Sequence, residues 1–107
     1  MQITILFDPD HAHAERVVHA LRAILCQTIV CTDIPDTIHA LNANPVDVLI
    51  VVPSPMDEWT RVVERIRSTV NTMRETPQIV CLLRRNRGIP EERVYASRKG
   101  FVVIYER

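Results

Sequence analysis

The sequence predicts an α/β fold in which five parallel strands alternate with helices in one doubly wound sheet. Three observations support this prediction. Short β-branched, apolar segments alternate with segments whose apolar residues recur every three or four positions. The segment 46–52 is apolar on both alternating faces apart from Asp47, as expected of a central strand covered on two sides. No repeat or linker interrupts the alternation, which favours a single sheet over residues 1–107.

The predicted elements follow this alternation from the amino terminus. The first strand covers 2–7 and ends at Asp8, Pro9 and Asp10, with Asp10 placed to cap the first helix. Apolar residues continue that helix to position 25, and Pro35 suits the first turn of a second, short helix. The other elements are strands at 28–32, 46–52, 78–83 and 101–105, a third helix at 59–73 and a short fourth helix from Pro90 to a C-cap at Gly100.

Composition places the chain among ordinary globular proteins. It has 107 residues, of which 47% are hydrophobic and 24% charged. No apolar run approaches the roughly 20 residues that span a bilayer, and the first residues lack the features of a signal peptide. Cys26, Cys31 and Cys81 form no CxxC pair, which indicates reduced thiols in a cytoplasmic protein.

Charge is divided unevenly along the chain although the formal net charge is zero. Residues 1–60 carry eight acids and two bases, and residues 61–107 carry eleven bases and five acids. This division either helps the protein to dock a partner or disappears when the two halves mix in the fold.

Three segments resemble the receiver domain of bacterial response regulators, and their order and spacing extend the resemblance over nearly the whole chain. They are Ile-Thr-Ile-Leu-Phe-Asp-Pro-Asp at 3–10, Asn-Pro-Val-Asp-Val-Leu-Ile-Val at 44–51 and Thr-Pro-Gln-Ile-Val-Cys-Leu-Leu at 76–83. The resemblance implies a flavodoxin-like sheet with strand order 2-1-3-4-5. It also implies an acidic pair that holds magnesium, a phosphoacceptor aspartate after the third strand, a hydroxyl after the fourth and a lysine after the fifth.

The sequence departs from that family at three of these four chemical positions. Asp8 and Asp10 match the acidic pair, but the phosphoacceptor position falls on Val51 or Val52. The hydroxyl position falls on Leu82 or Leu83, and the lysine position falls near Glu106 or Arg107. Two carboxylates without the acceptor form a weak site for Mg²⁺. The chain therefore resembles a degenerate pseudo-receiver without a cofactor, a metal or an enzymatic activity.

A basic cluster follows the fourth predicted strand, at Arg84, Arg85 and Arg87. One of these arginines could enter the acidic pocket and pair with Asp8 or Asp10, for which a guanidinium is well shaped. The cluster could instead contact an anion or nucleic acid, or it could be a solvated loop.

Two histidines, His11 and His13, lie beside the acidic pair at the start of the first helix. Residues two apart do not share a helix face, and no other ligand lies at a recognised metal-site spacing. We therefore expect both histidines to be exposed to solvent and not to bind a metal.

The sequence ends directly after the fifth strand, so a fifth helix that would cover one face of the sheet is absent from it. We expect apolar sheet to be exposed there and to be covered by a partner, either a second copy or another part of a longer protein. The resemblance places the interface at five residues: Val94, Tyr95, Phe101, Val103 and Tyr105.

The function predicted from the sequence is that of a cytoplasmic, bacterial regulatory domain. It would act through protein contacts, with a homodimer as the expected form, and would reach nucleic acid only through another domain. The alternative is a ligand-binding or enzymatic domain that uses the crevice at the strand ends, with Asp8, Asp10, Ser54 and Arg84. A weaker third candidate is nucleic-acid binding by the arginine-rich second half.

Overall fold

Five strands and three helices alternate in the described part of the chain. The structure is a computed structural model that describes residues 3–23, 27–52, 56–73, 76–83, 98 and 100–105. The elements are β1 (Ile3–Phe7), α1 (His11–Arg22), β2 (Gln27–Cys31), α2 (Ile34–Ala43), β3 (Val48–Val51), α3 (Met56–Asn71), β4 (Gln78–Leu83) and β5 (Val102–Tyr105). They match the predicted elements to within a few residues, and the predicted fourth helix lies outside the described residues except near its end.

All neighbouring strands are parallel, and their order is β2-β1-β3-β4-β5. This arrangement confirms the doubly wound sheet and its predicted strand order. Since the chain passes from β1 outward to β2 and then back to β3, the strand order reverses at β1 and β3. In sheets of this kind the carboxyl ends of the strands flank a crevice at that point.

Alternation along the strands divides the core between the two faces of the sheet. The larger core contains Ile5, Leu49 and Leu83 from the strands, packed with Leu41 of α2 and Ile66 of α3. The smaller core lies on the opposite face, under α1, and contains Leu6, Ala14 and Val52. Burial of the sheet from both sides is the arrangement that parallel strands require.

Local signals in the sequence account for the start of α2. The carboxylate of Asp33 accepts a hydrogen bond from the backbone N–H of Asp36 at 2.8 Å, so Asp33 is the N-cap. The hydroxyl of Thr37 donates to the carbonyl of Asp33 at 2.8 Å, and Pro35 occupies the first turn. These contacts satisfy backbone groups that would otherwise lack partners at a helix end.

On β5, the exposed side chains are not the ones that the sequence predicted for an interface. Phe101 is only 5% exposed, and Val103 packs against the larger core. The exposed side chains are their neighbours Val102 and Ile104, at 42% and 47%. Phe101 and Val103 thus face the larger core, because successive side chains of a strand face opposite ways, and their role in an interface stays a prediction. Val94, Tyr95 and the side chain of Tyr105 lie outside the described residues.

Gly100 precedes β5 with a φ of +82°, in the left-handed region that favours glycine. This backbone conformation agrees with the predicted helix C-cap at that position. Across the described residues, no helix combines the length and the apolar character needed to cross a membrane.

Candidate functional site

The candidate site lies where β1, β2 and β3 end. Phe7 pairs with Val51 across the sheet, and the backbone N–H of Val52 donates to the carbonyl of Phe7 at 2.9 Å. On the other side, the N–H of Asp8 donates to the carbonyl of Cys31 at 3.0 Å. Asp8 is therefore held by backbone contacts between the ends of the two neighbouring strands, next to Val52.

The carboxylate of Asp8 is fully buried, and both of its oxygens have partners. Oδ2 accepts a hydrogen bond from Nδ1 of His13, whose side chain is also fully buried. Oδ1 accepts a hydrogen bond from the backbone N–H of Asp10 at 2.9 Å. Burial of a carboxylate requires such compensation, since an unpaired charge in the interior is strongly unfavourable.

The first turn of α1 places His13 in this position. Asp10 is the N-cap, as predicted: its carboxylate accepts a hydrogen bond from the backbone N–H of His13 at 3.2 Å. Its carbonyl accepts the N–H of Ala14 at 2.9 Å, which begins the helical pattern. Helical side chains lean toward the amino terminus, so a residue in the first turn reaches back toward the strand that precedes the helix.

Burial of His13 overturns one expectation from the sequence. His11 is exposed as predicted, but His13 is inside the protein. The sequence contained a usable signal, because His13 lies one turn before Val17, which packs against the smaller core. A histidine on the apolar face of a helix that follows an acidic strand end can pair with that acid.

Val51 and Val52 are both buried, so each candidate for the phosphoacceptor position is a core residue. The side chain of Val51 belongs to the larger core, and that of Val52 packs with Leu6 and Ala14 in the smaller one. Register places Val52 beside Asp8. Of the two candidates for the hydroxyl position, Leu83 is buried and Leu82 partly buried, and neither carries oxygen.

The described donors do not fit the magnesium ion that the resemblance implies. Mg²⁺ takes six oxygen ligands in near-octahedral geometry. Here the two oxygens of Asp8 accept hydrogen bonds from His13 and from the backbone N–H of Asp10, and the residue that follows the neighbouring strand β3 is the apolar Val52. Within the described residues, no group of three or more histidine, cysteine or acidic side chains could hold a metal ion.

Other residues assigned to this edge by the sequence lie outside the described part of the chain. These are Ser54 and the basic cluster of Arg84, Arg85 and Arg87. Pairing between an arginine and Asp8 or Asp10 therefore stays a prediction. The structure gives Asp8 a different partner, His13.

Cys31 is the last residue of β2 and lies at the same edge of the sheet. Its thiol is buried, as is that of Cys81. Burial raises the pKa of Cys31 above its ordinary value, and the negative charges of Asp36 and Asp33 raise it further, while a hydrogen bond with Thr37 opposes them. A protonated thiol is a poor nucleophile. Cys31 is thus a core residue, as the sequence predicted.

Comparison with solved structures identifies the fold. The chemotaxis protein CheY4 of Vibrio cholerae superposes with a TM-score of 0.76 at 15% sequence identity, over 99% of this chain and 85% of that chain. A response regulator receiver protein from Burkholderia phymatum superposes with a TM-score of 0.74 at 14% identity, over 99% of this chain and 83% of the other. This chain has the receiver fold.

Sequence comparison alone does not detect this likeness. No protein-family model matches the chain. No curated protein matches it in sequence.

Proposed function

We propose that this protein is a regulatory domain of the receiver fold that works through protein contacts and independently of phosphorylation. One observation carries the proposal: Asp8 is paired with His13 in a buried site beside Val52. A fold does not fix a function, so the proposal rests on these residues and not on the likeness of the fold.

Phosphoryl transfer at this edge would need an acceptor and a cation, and the described residues favour neither. A valine side chain cannot accept a phosphoryl group. A divalent cation at Asp8 would have to displace the imidazole of His13 from its buried hydrogen bond with the carboxylate, which is energetically costly.

The proposed partner is another domain or a second copy of this chain. The setting is the bacterial cytoplasm, where the buried thiols of Cys31 and Cys81 remain reduced. Nucleic acid would be reached through another domain. Support for a role in protein contact comes from the apolar side chains of Val102 and Ile104, which are exposed on β5.

Sedimentation velocity and thermal unfolding, each with and without Mg²⁺ and beryllofluoride, test the proposal. Beryllofluoride mimics a phosphoryl group on an acceptor carboxylate. We expect neither the sedimentation coefficient nor the Tm to change. A receiver domain that carries an acceptor aspartate, treated in parallel, shows that the reagents are active. A rise in Tm or a change in mass with both reagents would show that the acidic site still binds a phosphoryl group, and would refute the proposal.

A further inference from the structure

A groove of about 650 Å³ lies between the start of α2 and the middle of α3. We call it the α2–α3 groove. The residues that line it are Ile34, Pro35, Arg61, Glu64, Arg65 and Ser68. Ile34 is partly buried against the larger core, whereas Pro35 and the four lining residues of α3 are exposed. The groove is therefore an open surface in which a small apolar area lies beside charged side chains.

Helical spacing places the groove residues of α3 on one face of that helix. They recur at i, i+3, i+4 and i+7, whereas Ile66 and Val70 belong to the buried face. Among the residues that the structure describes, no acidic side chain forms an ion pair with Arg61 or Arg65. Both guanidinium groups are thus available to a partner that approaches the groove.

The α2 side of the groove is acidic. Asp33 and Asp36 flank its two apolar residues at the start of α2, and both are exposed. Two positive charges, those of Arg61 and Arg65, lie on α3. The third negative charge belongs to Glu64, also on α3. A surface with two positive and three negative charges does not favour nucleic acid or an acidic peptide, since its own carboxylates would repel either one.

We propose that the α2–α3 groove is the contact surface between two copies of this chain. In a two-fold dimer the same surface meets itself, so that surface must be complementary to itself. An axis along the groove places α2 of each protomer against α3 of its partner. The acids of one helix then face the arginines of the other, whose aliphatic stems can cover Ile34 and Pro35. This inference rests on the proposed function, since it names the partner and the surface through which the domain would act.

The strength of the dimer and its response to salt follow from the exposure of these charges. Exposed ion pairs each contribute little and are screened by salt. We expect a reversible dimer with a dissociation constant on the order of 0.1 mM, at the weak end of specific interfaces. Sedimentation velocity over a concentration series measures it. Raising NaCl from about 0.05 M to about 0.5 M should weaken the dimer at least about tenfold.

Two charge-reversal variants test the pairing across the two-fold axis. The α3 variant carries Arg61→Glu together with Arg65→Glu, and the α2 variant carries Asp36→Arg. Each variant alone should weaken self-association at least about tenfold, because like charges then face each other. An equimolar mixture of the two should form dimers again, because each altered helix then faces the opposite charge. Pairing within one chain would not produce this recovery.

The matched control carries Arg16→Glu together with Arg22→Glu. It changes the net charge as much as the α3 variant does, at exposed positions of α1. We expect it to leave the dimer unchanged. Circular dichroism and urea unfolding verify that the variants fold. A base is unfavourable in the first turn of a helix, so Asp36→Asn replaces Asp36→Arg if the latter does not fold, and it should also weaken the dimer.

Four results would overturn the inference. They are a monomer at every concentration, equal weakening by the α1 and α3 substitutions, no recovery of the dimer in the mixture of folded variants, and a dimer that only Ile104→Asp disrupts. The last would place the interface on β5, where Ile104 is 47% exposed. A monomer that does not respond to Mg²⁺ and beryllofluoride would refute this inference and leave the proposed function standing, so the two failures are distinguishable.

Discussion

Asp8 and His13 form a buried pair that joins the end of β1 to the first turn of α1. The pair is five residues apart in sequence, and both side chains are fully buried. Because Asp10 supplies its own backbone N–H to Asp8 and caps the helix that carries His13, the three residues form one local unit. This unit holds a buried, hydrogen-bonded carboxylate at the end of β1.

Replacement of His13 tests the contribution of the pair to stability. We expect His13→Ala to lower the free energy of unfolding by about 3 kcal/mol, because it leaves the carboxylate of Asp8 buried with only a backbone partner. Urea unfolding followed by circular dichroism measures the change. His11→Ala is the matched control, since His11 is exposed on the same turn, and its effect should stay within about 0.5 kcal/mol. Equal losses in the two variants would mean that the pair contributes nothing specific.

The cap of α1 can be tested by removing one side chain. Asp10→Ala should cost about 1 kcal/mol, because the N–H of His13 loses its acceptor. Asp10→Asn keeps an oxygen acceptor and should retain most of the stability. Chemical denaturation of the two variants beside the unaltered protein distinguishes them. If the alanine and asparagine variants lose the same free energy of unfolding, the capping hydrogen bond of Asp10 does not contribute to stability.

The sequence predicted the sheet well because its signals are local. The run Val-Leu-Ile-Val in β3 and the capping residue Asp10 each specify an element without reference to the rest of the chain. Strand order followed from the resemblance, and the superposition on receiver structures agrees with it.

The candidate site was harder to predict, because burial of His13 depends on contacts between elements. A histidine beside two aspartates at the start of a helix has the composition of a solvated turn. Only the packing of α1 on the sheet, through Ala14 and Val17, turns its side chain inward. The same limit applied to β5 and the residue before it, because Phe101 and Ile104 are both apolar and only the placement of the helices decides which one is covered.

Substitutions at Phe101 and Ile104 test which side chains near β5 face the core and which face solvent. Phe101→Ala should destabilise the protein by about 3 kcal/mol or more, because it leaves a cavity in the larger core. Ile104→Ala should cost about 1 kcal/mol or less, because the side chain is already 47% exposed. Urea midpoints measure both effects. The reverse order would show that β5 presents its other face to the core.

The pH dependence of stability tests the environment of Cys31. Burial, with a smaller contribution from Asp36 and Asp33, raises the pKa of this thiol in the folded protein above its ordinary value of 9.0. The folded state therefore holds the proton more tightly than the unfolded state. The resulting stabilisation is fully present below pH 9.0, the ordinary value, and is lost as the pH rises through it toward the folded pKa.

Cys31→Ala removes this contribution while other alkaline titrations remain. We expect the free energy of unfolding of the unaltered protein to fall more steeply than that of Cys31→Ala between about pH 8 and pH 10. Urea titrations of both proteins under reducing conditions measure the difference. Native alkylation by iodoacetamide should also be slow at Cys31 and become fast in urea, since the thiolate is the reactive form. Parallel pH profiles of the two proteins would show that the thiol titrates as it does in the unfolded chain, and that burial of Cys31 does not favour its protonated form.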